Sequence, residues 1–211
     1  MIATNHKIYH IIHIDKLSHI IKSSGLLSDA KVIEEELGGT TIGMNSIKQR
    51  RLTELTFETY PTLYVGQCVP FYFCSRSVML YMIKMGNNEL DYQGGQDNII
   101  HLEFDLSQVI NWANINNKRW VFTNSNAGSF YFKDTNNIKN LSKLDWSTIN
   151  SNYWKDSVDT KQAEFLCEGF VDFSLVDRIV SNNSTMDNSI KSILQKTTYT
   201  PIIEIKKNWY Y

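Results

Sequence analysis

The sequence is short of several things, and each shortage narrows what it can be. Only three prolines punctuate 211 residues, so long stretches are free to form regular elements. Cysteines are also three, Cys68, Cys74 and Cys167, with no CxxC pair and with apolar neighbours. They read as buried thiols of a reducing compartment rather than a disulfide framework. No apolar run approaches the roughly 18 residues of a membrane-spanning helix. The N-terminus lacks a signal-peptide pattern, and the expected location is the cytoplasm. Formal net charge is −1. Near-neutrality argues against broad non-specific binding to duplex nucleic acid, whose affinity comes mainly from neutralised phosphates. It leaves room for a small basic cleft.

What is present suggests one α+β domain over residues 1–211, long enough for a real core. Strand patterns cover residues 7–14, 69–74, 99–104, 120–123 and 201–205. Helical spacing of Leu17, Ile20 and Ile21 marks a first helix that Gly25 stops, after which residues 25–27 turn away. Residues 34–40 are polar and Gly-rich, a loop of the kind that serves as a lid. A second helix is expected over 43–57, and a third opens after Ser75 as N-cap. Further helical stretches lie near 106–112, 141–150 and 187–195.

Two charged residues stand out from this plan. Glu164 enters the apolar run Ala163, Phe165, Leu166 and Cys167, which has the look of a half-buried strand, and alternation sets it opposite Phe165 and Cys167. An isolated Glu there is more often an edge-strand charge than a working group. Arg51 shares a helix face with Ile47 and Leu55, four residues apart, while Arg50 turns about 100° away toward solvent. A guanidinium aimed inward needs acceptors, because an unpaired buried charge is very costly. Its partner is either an internal carboxylate or a bound group.

Other chemistries find little support. His6, His10, His13 and His19 crowd the start, but His10 and His13 fall on opposite strand faces and no Cys or carboxylate closes a zinc shell, so no metal is expected. The Gly94-Gly95 turn lacks phosphate-loop spacing, and no GxSxG elbow occurs. From 124 to 159 the chain is irregular, with Phe130, Tyr131, Phe132, Trp146, Tyr153 and Trp154 among Lys133, Lys139 and Lys143. Aromatics interleaved with lysines suit single-stranded nucleic acid, where bases stack and amines meet phosphates. They equally suit a satellite core with solvated lysines.

The run from Ile8 to Asp15, the block Ile47-Lys48-Gln49-Arg50-Arg51, residues 69–81, Tyr92-Gln93-Gly94-Gly95-Gln96, Asp145-Trp146, Tyr153-Trp154, Lys161-Gln162-Ala163-Glu164-Phe165-Leu166 and the terminal 206–211 together resemble the DarT family. These are DNA ADP-ribosyltransferase toxins paired with a macrodomain antitoxin, DarG. The resemblance implies an ADP-ribosyltransferase fold, a split β-sheet core with an NAD cleft and flanking helices. It implies transfer of ADP-ribose from NAD+ to a base in single-stranded DNA, most readily thymidine, by a monomer with no metal and no membrane partner. Carried onto matching positions, it makes Glu164 and Arg51 catalytic. His10, Ile11, Ile12, Leu27 and Arg51 become NAD contacts, 32–50 an NAD-covering element and 124–164 the substrate-gripping turn-turn loop. Tyr72, Arg76, Lys133, Tyr153 and Trp154 are the implied DNA contacts. Two positions depart from the pattern. Val78 stands where the family has Pro, and Ile12, which often is Thr, can offer a ligand only its backbone groups. Three alternatives remain: a guanosine- or RNA-directed transferase, a protein-modifying one, and an inactive NAD- or nucleic-acid-binding module.

Overall fold

The computed structural model describes residues 5–195 and 197–211. Along it run β1 (Lys7–His13), α1 (Leu17–Lys22), β2 (Gly25–Leu27), α2 (Asp29–Glu34), α3 (Asn45–Thr53), β3 (Cys68–Tyr72), α4 (Val78–Lys84), β4 (Ile99–Asp105) and α5 (Leu106–Ile115). There follow β5 (Trp120–Thr123), β6 (Asp134–Thr135), α6 (Trp146–Asn150), α7 (Val158–Lys161), β7 (Glu164–Glu168), β8 (Phe170–Asp172), β9 (Val176–Ser181), α8 (Ser184–Leu194) and β10 (Ile202–Ile205). One sheet has the order β10-β9-β4-β1-β3-β7-β5-β6, parallel only at β9–β10, and β2 pairs with β8 in a small second sheet.

The long sheet is nearly two. β1 follows β4 in register from Lys7↔Asp105 to His13↔Ile99, and β3 follows β7 from Cys68↔Glu168 to Tyr72↔Glu164. Between β1 and β3, only Tyr9↔Tyr72 is paired. Pro70, mid-β3, has no N–H to give a neighbour. Its carbonyl is taken by the His10 ring instead, with Nδ1 2.7 Å away. This is the split core that the resemblance implies.

Packing explains where the opening falls. One face of the whole sheet is sealed by a continuous core in which Phe71 meets Phe104 and Phe165, and α5 and α8 contribute Val109, Ile110 and Ile190. The other face is covered in two patches. Leu80, Ile83 and Tyr210 lie with Ile99 and Val180, while Leu55, Phe57, Leu63 and Val65 lie with Val121 and Leu166. A cleft lies where the two patches fail to meet.

Several elements differ from the sequence reading. Residues 25–27 form β2, with Gly25 tight against β8: a Cβ there would sit 2.3 Å from the Val171 carbonyl oxygen. α2 precedes the Gly-rich loop, capped by Ser28. The second helix stops at Thr53 because the Leu55 N–H turns back to Arg50 O and Leu55 drops into the core beside Phe57. α4 is capped by Ser77, whose Oγ accepts the Leu80 N–H at 3.1 Å, and not by Ser75. β8 and β9 carry no expected pattern. The three cysteines are buried free thiols. Among the described residues no helix is long and apolar enough to cross a membrane.

His101 on β4 is fully buried, with Nε2 2.8 Å from Ser75 O. Burial holds its pKa down to about 4, against an ordinary value near 6.5. The unfolded chain therefore binds this proton more readily, and stability present above about pH 6.5 is lost as pH falls toward 4. One such histidine is worth about 2–3 kcal/mol between pH 7 and 4.5. Urea unfolding at those two pH values is expected to show His101→Asn losing about 2 kcal/mol less than the wild type on acidification. Equal losses would contradict this assignment.

Candidate active site

The site begins with β7 as a central strand. β3 and β5 flank it, so Glu164 is no edge charge. Phe165 and Cys167 face the continuous core, as alternation predicts, while Glu164 shares the opposite face with Leu166 and is only 3% exposed. Both carboxylate oxygens are held. Oε2 accepts from Arg51 Nη2 at 3.0 Å, and Oε1 accepts the Ala127 backbone N–H at 3.1 Å. The backbone is anchored as well, its N–H donating to Thr123 Oγ1 at 3.1 Å.

Arg51 reaches Glu164 from α3, so the inward aim read from helical spacing is correct. Burial opposes its charge. The Glu164 carboxylate outweighs that, with a smaller contribution from Asp29, and the pKa rises above that of an ordinary arginine. Arg51 is thus a permanent cation here. Tyr72, opposite Glu164 in the β3–β7 register, has its phenol pKa pushed up by burial and then by the Glu164 charge.

These groups form one end of a groove with about 1490 Å³ of space, counting its open mouth. His10, Ile11, Ile12, Leu27, Arg51, Tyr72 and Glu164 all line it. His10 is held neutral, its pKa lowered to about 4 mainly by burial. A carbonyl is the partner of Nδ1, so the single proton sits on that nitrogen. Ile12 lines the groove and also belongs to the continuous core.

Part of the same wall is basic. Lys16 and Lys48 both line the groove, with Lys48 Nζ 2.9 Å from Asp29 Oδ1. Burial, then the nearby Lys48 charge, lowers the Lys16 pKa. Against these two lysines lies the segment 37–44. Its Thr40 is latched to Asp15 through both N–H and hydroxyl, at 3.1 and 2.7 Å to Oδ2, and Gly38 O lies 3.2 Å from His19 Nδ1. The groove therefore combines a carboxylate–guanidinium pair with two lysines, a set suited to a ligand that carries both anionic and cationic groups. Among the described residues no group of three His, Cys, Asp or Glu is placed to hold a metal.

A family model described as "ssDNA thymidine ADP-ribosyltransferase, DarT" matches residues 9–211. The chain belongs to the DarT family. Its relatives include a DNA ADP-ribosyl transferase of Thermus aquaticus, 32% identical over 97% of this chain and 88% of that protein, and one of Mycobacterium tuberculosis, 27% identical over 97% and 88%. Among solved structures, Thermus sp. 2.9 DarT in complex with ADP-ribosylated ssDNA aligns with a TM-score of 0.87 at 30% identity, covering 98% of this chain and 96% of that one. The same DarT in complex with NAD+ aligns at 0.83 and 27%, covering both chains fully.

Of the five positions that the DarT resemblance marks for DNA, only Tyr72 lines the groove. Arg76 hydrogen-bonds Asn152 at 2.8 Å and lies 4.2 Å from the Tyr211 ring centroid. Trp154 packs edge-on against Tyr81, and Tyr153 is 73% exposed beside it in sequence. Lys133 is exposed at the base of the loop, where its backbone N–H donates to Asn124 Oδ1. The loop aromatics divide: Trp146 stacks on His6 and meets Phe73, and Phe132 meets Phe57, so both are core. Phe130, Tyr131 and Tyr153 stay outside.

Arg50 corrects a second expectation. It does not reach into solvent but donates to Gly128 O and lies over the Phe130 ring. Lys16, Asp29, Lys48 and Gln162 join the groove without a sequence signal that gave them a role, and His19, weighed there only as a metal ligand, joins them. Lys161, buried, donates to the carbonyls of Ile149 and Ser151 and so ties the end of α6 to the strand that carries Glu164.

Removing one member of a buried ion pair strands the other, whereas removing both does not. Arg51→Met is expected to lower stability by about 3 kcal/mol in urea unfolding, and Arg51→Met/Glu164→Gln by clearly less. Equal losses would show that Arg51 contributes through packing alone.

Proposed function

We propose that this chain transfers ADP-ribose from NAD+ to thymidine in single-stranded DNA and releases nicotinamide. The observation that carries the reading is the Glu164–Arg51 pair at the end of a groove opened by the split of the sheet. Membership of the DarT family supports the acceptor. The groove fits NAD+ by charge. Lys16 and Lys48 suit its diphosphate, and Glu164, Tyr72 and His10 surround the end left for the nicotinamide ribose. On this reading Ile11, Ile12 and Leu27 complete the NAD contacts, and residues 32–50 cover the bound dinucleotide.

Cleavage of the nicotinamide–ribose bond builds positive charge on the ribose. A carboxylate fixed in advance by two donors stabilises that charge without having to reorganise. We assign this to Glu164. The bonds from Arg51 to Oε2 and from the Ala127 N–H to Oε1 keep it aimed. Thymine N3 must lose a proton as it attacks. Arg51 is too basic to remove it as a neutral guanidine. Its fixed charge lowers the cost of the developing N3 anion, and the proton leaves along a relay to water. The products are N3-ADP-ribosyl thymine, nicotinamide and one proton.

Residues 124–164 serve as the gripping loop, with Tyr153, Trp154 and Arg76 at one side of its surface. Arg76 has no carboxylate within ion-pairing distance among the described residues, which leaves its charge for a phosphate. The modification is removable in principle, and a DarG-like macrodomain is the partner this reading assigns.

Glu164→Gln keeps the shape and removes the charge, and is expected to slow transfer by about 10²–10³-fold while NAD+ binding persists. Transfer at the wild-type rate would remove Glu164 from the mechanism. Incubation with NAD+ and single-stranded oligonucleotides that each lack one base, read by intact mass, is expected to leave only the thymine-free strand unmodified. A mass gain on that strand would favour a guanosine-directed enzyme. Label from NAD+ entering protein would favour a protein-modifying one.

A further inference from the structure

Resting on the single-stranded DNA reading above, we propose that Phe130, held in place by Arg50, is the stacking platform for a DNA base beside the acceptor thymidine, and thus a specificity-determining residue. The argument starts from the turn that leaves β5. Gly128 N–H donates to Asn126 Oδ1 at 2.7 Å, and Ser129 N–H to Asn126 O at 3.0 Å. At its base, Asn124 and Lys133 exchange hydrogen bonds of 3.1 and 3.2 Å. The turn lies flat on α3. A Cβ on Gly128 would come within 2.7 Å of Ile47 Cγ2, so only glycine allows that approach.

Two consecutive arginines of α3 then tie this turn to the reaction centre. Arg51 holds one oxygen of Glu164, whose other oxygen holds Ala127, and Arg50 holds the carbonyl of Gly128. The position of residues 126–128 is therefore set relative to the catalytic carboxylate. Phe130 is three residues from Ala127, within about 11 Å of chain. So tightly fixed a turn nevertheless leaves Phe130 60% exposed, although Phe132, two residues on, finds a core partner in Phe57.

Single exposed aromatics are ordinary on protein surfaces. The guanidinium distinguishes this one. Arg50 lies 5.0 Å from the Phe130 centroid, and among the described residues no carboxylate is within ion-pairing distance of it. The cation orders the ring and leaves charge for a phosphate, while the rest of the ring stays open to a nucleobase. Stacking accepts any base but prefers larger π-faces, which gives a mild sequence preference next to the modified thymidine. It also fits a chain of net charge −1, which has few cations to spend on a backbone.

The test measures initial rates against oligonucleotide concentration at saturating NAD+, with NAD+ affinity determined separately by equilibrium binding. Phe130→Ala is expected to raise the KM for the oligonucleotide about tenfold, with kcat and NAD+ affinity within twofold of wild type. Phe130→Trp, which restores a π-face, is expected to bring KM back to within threefold. Arg50→Met is expected to raise the same KM, because the ring loses the cation that orders it. An unchanged KM in Phe130→Ala, or an equal rise in Phe130→Trp, overturns the platform while the transferase reading stands. A wild-type protein that leaves the oligonucleotide unmodified overturns that reading, and the platform with it.

Discussion

The buried pairing of Arg51 with Glu164 is the constraint on which the rest of the site depends. Neither charge is tolerable in that position alone. An isolated carboxylate or guanidinium out of water would cost far more than a marginally stable domain can bear. Together, and with the Ala127 N–H completing the carboxylate, they satisfy one another in the buried wall of the groove. That arrangement is also the one the proposed chemistry needs. A carboxylate aimed at developing positive charge acts best when its donors are already fixed, and Arg51 and Ala127 fix it from two different parts of the chain. Stability and the proposed catalysis thus rest on the same contacts. Substitutions there report on both, which is why a charge-neutral isostere is more informative than truncation.

Electrostatics along the groove follow from this first pair. The groove lining carries Lys16 and Lys48 close together, with the Asp29 and Asp15 charges acting on Lys16. Burial and mutual repulsion make Lys16 give up its proton more easily than a surface lysine, and an incoming dianion would relieve both. The latch of Thr40 onto Asp15 keeps a second carboxylate occupied on the outer rim.

Much of this was legible in residues, though unevenly. Period-2 alternation correctly set Glu164 opposite Phe165 and Cys167, because a strand buried on both faces still keeps its pleat. Helical spacing aimed Arg51 inward. The same spacing sent Arg50 to solvent and failed, since an angle around a helix says nothing about what docks there. Here the docked segment comes from Gly128, 78 residues away. Composition could not sort the loop aromatics either. Trp146 and Phe132 are core and Phe130 and Tyr131 are surface, yet all four sit among the same Asn and Lys neighbours. β9 escaped notice because Asp177 and Arg178 interrupt its apolar pattern, their charges being satisfied by Lys7, Glu103 and Glu204 from other elements. Single lysines such as Lys16 and Lys48 have no local signature at all.

The single Tyr9↔Tyr72 rung that joins the halves of the sheet has a mechanical consequence. A continuous sheet resists being pulled apart because every rung along a seam must yield together. Here one rung and the His10–Pro70 contact are the backbone-level ties across the seam, and each hydrogen bond is worth only about 0.5–1.5 kcal/mol net. The two halves can therefore behave as jaws on a short pivot, rigid in themselves through their long registers with β4 and β7. A long dinucleotide can enter by a small change in jaw angle while the Thr123 and Ala127 anchors of Glu164, on one jaw and its attached turn, travel with it.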